Sequence, residues 1–336
     1  MMILNQIKSI GITGTGKALP EKILTNKDLE AMVDTNDEWI RSRTGIGSRR
    51  VADEDTATSD LATESAVKAL EDSGLAPEDV DLIIVATVTP DMAFPSTACI
   101  VQKNLGASKA IAFDIEAACS GFVYAMSVAE NMIQGGMAKN ALIIGAETLS
   151  KIMNWEDRNT CVLFGDGAGA AVLQEVEEGY GIQGITLGAN GAKGEVLKQP
   201  AGGSRIPASH ESVENKLHYI AMDGNEVFKF AVRIMGQSSL EVLKKSGRDI
   251  EDVDFLIPHQ ANIRIIDAAA KRLKLPRDKV YINLHKYGNL SAGSIPVALD
   301  EAAKEGKLIR GENILLVAFG GGLTWGSSLI KWSKEV

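Results

Sequence analysis

The chain has 336 residues, 45% of them hydrophobic and 24% charged, a balance that fits two globular domains or one large two-part α/β unit and excludes disorder. A net charge of −9, no long Lys/Arg run and only 5% aromatic residues argue against nucleic acid or an anionic membrane as partner. Three cysteines (Cys99, Cys119, Cys161) without C-x-x-C spacing and four scattered histidines (His210, His218, His259, His285) form neither a disulfide framework nor a metal-ligand pattern, so no metal is expected.

In chain order, Met1–Gly16 carries a lone Lys8, no apolar h-region and no cleavage-type run of small residues, and no uncharged stretch reaches the ~18 residues of a membrane span. A cytoplasmic, reducing compartment is therefore expected. Gly11-Ile12-Thr13 opens a first strand. The following Gly16-Lys17-Ala18 departs from a phosphate-cradling P-loop, because alanine stands where the magnesium-holding hydroxyl belongs. Leu61, Ala62, Ser65, Ala66, Ala69 and Leu70 recur at helical spacing, with Gly74 as the stop. Leu82–Ala86 is a continuous apolar run, the pattern of a strand buried on both faces of a largely parallel sheet.

Asp114-Ile115 then leads through a small-residue turn to Cys119 and to a helix over Ser120–Gln134 whose single charge is Glu130. A helix this apolar belongs between layers. A thiol at its mouth meets unpaired backbone N–H groups and the positive end of the dipole, which lowers its pKa; the competing reading is an inert buried cysteine, as for Cys99 and Cys161. Leu142–Gly145 is another buried strand. Gly165–Ala170 imitates a dinucleotide fingerprint but leads into the strand-like run Ala170–Leu173, so a tight glycine turn is expected.

In the second half, Glu195–His218 lacks periodicity and reads as an irregular insertion beside the site. Phe255–Ile257 is a strand that ends at Pro258-His259, placing His259 on the edge where α/β ligand sites gather. Tyr287–Ser294 opens a second buried helix that includes Ile295, Val297, Ala298 and Leu299. Ile314–Ala318 is a strand followed by Gly320-Gly321-Gly322, whose bare N–H groups either face a cleft or close a turn. His259 as a core histidine and Asn289 as a helix cap are the bland alternatives.

The chain also repeats itself. Leu70–Ile84 and Leu243–Ile257 share 8 of 15 residues at an offset of 173, and the same offset links Gly11-Ile12-Thr13 to Gly184-Ile185-Thr186 and Asn140 and Leu142 to Asn313 and Leu315. Duplication of one α/β unit follows, with halves 1–175 and 176–336 and with the mouths of the two central helices facing each other. That places Asn289 near Cys119.

At these positions the chain resembles the β-ketoacyl-[acyl-carrier-protein] synthase III family of thiolase-like condensing enzymes. The likeness runs through Asp37–Ile40, Arg43–Ile46, Phe94-Pro95-Ser96, the Cys119 turn, Asp157-Arg158, Phe164–Gly167, Met222–Asn225, His259–Asn262, Tyr287–Asn289 and Gly320–Gly326. Leu290 stands where that family's pattern leads one to expect threonine. The resemblance implies a duplicated five-layered αβαβα fold and initiation of type II fatty acid synthesis: acyl transfer from acetyl-CoA to Cys119, then decarboxylative condensation with malonyl-acyl-carrier protein. It implies catalysis by Cys119, His259 and Asn289, with an oxyanion hole from the Cys119 and Gly321 amides. CoA would meet Trp39, Arg43, Arg158, Gly224, Phe228 and Asn262. Phe94 would close the acyl pocket across a homodimer interface, and Gln260, Ala261, Asn262, Ile263, Arg264, Lys271 and Arg272 would meet the carrier. Acyl-CoA is a substrate, and no cofactor is implied. A condensing relative of secondary metabolism, a cysteine hydrolase using the same three residues and a non-catalytic binding module are the other readings.

Overall fold

A computed structural model describes residues 8–335; residues 1–7, part of the segment read for an export signal, and residue 336 lie outside the described residues. The apolar runs become strands at the core of two sheets. The first has five strands in the order Ile10–Ala18, Asp166–Glu175, Ala141–Thr148, Leu82–Ala86, Ile111–Ile115. The second has four, in the order Phe255–Pro258, Asn313–Gly320, Thr324–Lys331, Gly181–Ala189. Both sheets are mixed rather than largely parallel. Leu82–Ala86 runs parallel to both its neighbours and Phe255–Pro258 parallel to Asn313–Gly320, while the remaining pairings are antiparallel. Antiparallel strands such as Asp166–Glu175 are also buried between layers, so an unbroken apolar run does not reveal direction.

Helices complete five layers. Thr58–Ser73 and Thr97–Leu105 cover the outer face of the first sheet, and Gly224–Lys245 with Ile263–Arg272 covers that of the second. Gly121–Gln134 and Ser294–Lys304 lie between the sheets, where Phe122, Met126, Ile295 and Leu299 join side chains from both into one core. Gly14 and Gly16 belong to the first strand and press on the outer helix: a Cβ on Gly16 would lie 2.3 Å from the Ser65 carbonyl oxygen, so close approach explains the glycine without a phosphate. Gly165–Ala170 likewise forms no turn. From Asp166 onward it is strand, and a Cβ on Gly169 would meet the Pro296 carbonyl carbon at 2.6 Å, so the glycines admit a central helix.

The duplication extends to single hydrogen bonds. Asn140 Nδ2 donates to the Asp79 carbonyl at 2.8 Å and Asn313 Nδ2 to the Asp252 carbonyl at 2.9 Å. The backbone N–H groups of the same asparagines donate to Asp81 and Asp254, each at 3.0 Å. Both Asp side chains thus fasten one strand to the next at corresponding places. Glu195–His218 is, as expected, largely irregular, with the end of the 3-10 helix Gly191–Val196 and short elements at Leu197–Lys198 and His210–Glu214. No helix among the described residues is long and apolar enough to cross a membrane.

Candidate active site

Cys119 lies in a single 3-10 turn, Ala118–Ser120, between strand Ile111–Ile115 and the central helix that begins at Gly121. Ala118 is held at φ +44°, a left-handed conformation that L residues rarely adopt and that tightens the turn presenting the thiol. The turn is tied to the second half. Ser120 Oγ donates to Thr324 Oγ1 at 2.8 Å, and Thr324 Oγ1 is 2.9 Å from the Ala117 carbonyl oxygen. Gly320 packs so closely that a Cβ there would lie 2.6 Å from the Cys119 nitrogen. Cys119 is only 8% exposed, and burial pushes its thiol up to about 12. The lowering expected at a helix mouth is outweighed by desolvation, and the resting residue is a neutral thiol.

Two cavities meet at this sulfur. One, of about 390 Å³, is lined by Cys119, His259 and Asn289 at its inner end and by Trp39, Arg43, Gly224, Phe228, Asn262 and Arg264 farther along. The other, of about 340 Å³, is lined by Cys119, Ser291, Gly321 and Thr324 and walled by Val88, Leu149, Ile152, Phe164, Leu197 and Ile220. Sequence reasoning did not single out that apolar wall. Its residues come from separate segments and carry no shared local pattern.

His259 follows strand Phe255–Pro258, and its backbone N–H continues the ladder to the Val317 carbonyl at 2.8 Å. The imidazole is 1% exposed and meets the Phe319 ring edge-on at 5.5 Å. Neither ring nitrogen has a hydrogen-bond partner among the described residues, and burial depresses the pKa to about 3, so the ring is neutral and has one N–H to offer. Asn289 is fixed on both sides. Its N–H donates to the Leu163 carbonyl at 2.9 Å, and its own carbonyl accepts from Gly165 N–H at 3.0 Å. Its side-chain oxygen accepts from Ser291 N–H at 2.8 Å, which leaves the Nδ2 hydrogens as the group available to the cavity. A neutral imidazole and an amide thus border one space as paired donors, beside a sulfur that also borders a second.

The other anticipated residues fall into three groups. Trp39, Arg43, Gly224, Phe228, Ala261, Asn262 and Arg264 line the first cavity; Asn262 caps helix Ile263–Arg272 and its Nδ2 donates to the Arg43 carbonyl at 3.0 Å. Arg158 is not in that lining. Its guanidinium already stacks on the Trp39 ring at 5.4 Å, so in this conformation the two side chains leave no slot for a ring between them. Ile263 packs against Gly45, while Lys271 and Arg272 lie exposed at the end of their helix. Gln260 is a correction. It is 1% exposed, donating to the Pro258 carbonyl at 2.7 Å and accepting from Asn283 N–H at 3.1 Å, so it braces the His259 loop and has no surface for a carrier protein. Phe94 is 84% exposed and lines neither cavity of its own chain. No group of three or more metal-ligating side chains occurs among the described residues.

Comparison with known proteins agrees with this geometry. Residues 113–191 match the family model of 3-oxoacyl-[acyl-carrier-protein] synthase III, and residues 243–332 match that of its C-terminal part. The β-ketoacyl-[acyl-carrier-protein] synthase III of Caldanaerobacter subterraneus is 66% identical over 96% of this chain and 98% of its own. Among solved structures, the 3-oxoacyl-[acyl-carrier-protein] synthase III of Aquifex aeolicus superposes with a TM-score of 0.89 at 51% identity, covering 96% of this chain and all of the other. That of Pseudomonas aeruginosa gives 0.91 at 41% identity over 98% and 100%. Likeness of this extent, over both halves and through the turn that carries the thiol, has one conclusion: the chain belongs to the β-ketoacyl-[acyl-carrier-protein] synthase III family.

Proposed function

We propose that the protein starts fatty acid chains. It moves the acyl group of a short acyl-CoA, acetyl-CoA in the simplest case, onto Cys119 and condenses it with malonyl-acyl-carrier protein, releasing CoA, CO2 and a 3-oxoacyl product. The observation that carries this reading is the position of Cys119 at the junction of two cavities, with His259 and Asn289 on one of them. A hydrolase needs one pocket and a water. A two-substrate transfer needs a thioester channel on one side of the sulfur and an acyl chamber on the other.

The steps follow from the donors. Cys119 Sγ attacks the thioester carbon, and the oxyanion is held by the backbone N–H groups of Cys119 and Gly321. CoA leaves along the first cavity, past Asn262, Phe228 and Gly224 toward Trp39, Arg43 and Arg158, with Arg158 swinging off the Trp39 face to admit the adenine. The malonyl thioester enters by the same route. As its carboxylate departs, charge gathers on the thioester oxygen, where the neutral His259 N–H and the Asn289 amide donate. The carbanion then attacks the acyl carbon on Cys119. Acyl-CoA enters as a substrate rather than as a resident cofactor.

The halves 1–175 and 176–336 share this work, the first bringing the sulfur and the second the donors. We assign the carrier contact to Arg264, Lys271 and Arg272 on the helix beside the cavity mouth, with Ala261, Asn262 and Ile263 at its start, because exposed cations suit an acidic carrier and its phosphopantetheine. The exposed Phe94 supports a homodimer in which that ring closes the acyl cavity of the second subunit. A cytoplasmic location fits both substrates. The test is intact-mass spectrometry after exposure to acetyl-CoA, followed by malonyl-acyl-carrier protein. A 42 Da-class acetyl adduct on Cys119 of about that size, then CO2 and a 3-oxoacyl thioester, are expected; free acetate without condensation would establish a hydrolase.

A further inference from the structure

An amide donor is only as good as the placement of its loop. The Asn289 loop belongs to neither main sheet and is fastened to the segment Val162–Gly165, through the Asn289 N–H bond to the Leu163 carbonyl and the Gly165 N–H bond to the Asn289 carbonyl. Arg49 packs against both segments. It is the middle residue of the short strand Ser48–Arg50 and is fully buried. A Cβ on Gly165 would come 3.0 Å from Arg49 Cβ, and a Cβ on Gly288, the neighbour of Asn289, 3.4 Å from the same atom. The Arg49 strand is also tied to the helix Leu284–Tyr287 that leads into the loop. Gly47 N–H donates to the His285 carbonyl at 3.0 Å and Ser48 Oγ to the Lys286 carbonyl at 2.9 Å.

The guanidinium makes four hydrogen bonds, all to neutral oxygens. Nη2 donates to the Val162 carbonyl and to Asn26 Oδ1, each at 2.9 Å, while Nη1 donates to Asn26 Oδ1 at 2.9 Å and to the Leu24 carbonyl at 3.2 Å. Burying a cation on neutral acceptors costs far more than burying an apolar side chain of the same volume, so space-filling does not account for the arginine. What a guanidinium adds is a rigid planar fork that holds acceptors at a set spacing. Val162 ends the helix Arg158–Cys161, lines the first cavity beside Leu163 and Phe164, and directly precedes the residue that takes the Asn289 N–H. Asn26, on the other side of the fork, is buried and fixed in turn: its Nδ2 donates to the Ile46 carbonyl and to Asp37 Oδ1, each at 2.8 Å. Asp37 opens the helix Asp37–Thr44, which carries Trp39 and Arg43. The fork therefore spans from the base of that helix to the segment that holds Asn289.

We propose that Arg49 is a positioning residue for Asn289: its guanidinium fixes the Val162 carbonyl, and its stem, against Gly165 and Gly288, sets the height of the loop that presents the Asn289 amide to the first cavity. Arg49 itself lines neither cavity and acts only through that loop. Loss of the fork frees the Val162 carbonyl, and segment 162–165 shifts together with the loop bonded to it, which takes the amide out of register with His259. The Cys119 turn has its own fastenings, at Thr324 and Gly320, and stays in place. The inference rests on the reading above, in which Asn289 donates to the thioester oxygen during decarboxylation and not during acylation of Cys119.

Arg49→Met fills most of the space and removes the fork. At saturating acetyl-CoA, rapid quench and intact mass should show acyl-Cys119 forming within about twofold of the wild-type rate. In the same preparation, kcat for CO2 release from malonyl-acyl-carrier protein, counted per acylated site so that unfolded protein drops out, should fall about 10- to 100-fold. The double variant Arg49→Met, Asn289→Ala should release CO2 no more slowly than Asn289→Ala alone, because misplacing an amide that is absent costs nothing. Arg49→Lys, which keeps the charge and most of the stem but not the fork, should show the same split to a smaller degree, and it carries the test if Arg49→Met does not fold. Equal losses in the two half-reactions, or losses that multiply in the double variant, overturn the positioning role. A wild type that forms no acyl-Cys119, or an Asn289→Ala variant that decarboxylates normally, overturns the underlying reading instead. An unaffected Arg49→Met beside a crippled Asn289→Ala overturns the role of Arg49 alone.

Discussion

Ala118 and Ser291 stand 173 positions apart in the chain and hold the same left-handed backbone, at φ +44° and +46°. Each begins a 3-10 turn that opens a central helix, so the two turns are copies of one device. One copy carries the thiol of Cys119. The other has Ala292 at the position equivalent to Cys119, and its hydroxyl-bearing first residue lines the smaller cavity together with Cys119. Duplication followed by divergence of two facing turns has made a site that neither half contains alone.

The contact between those turns and the first sheet should tolerate no added atom. Gly145→Ala places a methyl 2.1 Å from the Ala292 carbonyl oxygen, a backbone atom that side-chain rotation cannot move away. Urea denaturation should show a loss of about 1–3 kcal/mol, with acyl-enzyme formation slowed as the Ser291 turn shifts. Wild-type stability in this variant would mean that the two segments are loosely packed.

His259 and Asn289 border the first cavity and not the second, so on the proposed function their removal should separate the half-reactions. For His259→Ala or Asn289→Ala, acyl-Cys119 should still form, while malonyl decarboxylation falls by about 100–1,000-fold, the usual loss for one oxyanion donor. Measuring CO2 release and acyl adduct in parallel checks this. The opposite split would move both residues to the first step.

Stability should fall with pH through Glu147. Its folded pKa is raised from 4.5 to about 7 by burial, so its contribution is fully present below pH 4.5 and is lost as pH rises through about 7. Glu147→Gln removes that titration. The variant should therefore melt higher than wild type at pH 8, with the gap closing toward pH 4.5. His259 acts in the opposite direction: with its folded pKa depressed to about 3 from 6.5, the neutral ring favours the folded state above pH 6.5, and that contribution is lost as pH falls toward 3. Thermal melts of wild type, Glu147→Gln and His259→Phe across this range check both signs.

Glu301 collects four donors: Lys17 Nζ at 2.5 Å, Tyr287 Oη at 2.6 Å, Asn283 Nδ2 at 2.8 Å and, more distantly, Tyr281 Oη at 3.5 Å, which also donates to Glu305. Glu301→Ala should destabilise the fold by about 3–5 kcal/mol, because it leaves a partly buried ammonium and two polar groups without their acceptor. Tyr287→Phe, which removes a single donor, should lose only about 1 kcal/mol. Equal losses in denaturant melts would show that the hub works through packing rather than through these bonds.

Much of this was readable along the chain because the signals are local. Unbroken apolar runs marked Leu82–Ala86, Leu142–Gly145, Phe255–Ile257 and Ile314–Ala318, all of which lie inside observed strands. Helical spacing marked the helix that Gly74 ends, and a nearly uncharged stretch marked the central one after Cys119. The repeat at a single offset predicted paired halves, because duplicated residues keep their local bonding, as Asn140 and Asn313 show. Strand direction, the glycine segment at Gly165 and the exposure of Gln260 were misread, since each depends on what a neighbouring element does rather than on the segment's own pattern.

By itself, then, the sequence determined which segments are strands and helices, that the unit is doubled, and which residue types stand at the helix mouths, all consequences of spacing within a dozen or so neighbours. Only the tertiary structure decided that two cavities meet at Cys119, that burial leaves the thiol and the imidazole neutral, and that Ser291 lines one of those cavities while His259 and Asn289 line the other. Those properties arise from desolvation and contact between segments far apart in the chain, and a pKa or a cavity wall is set by every atom that excludes water from it, whatever its place in the sequence.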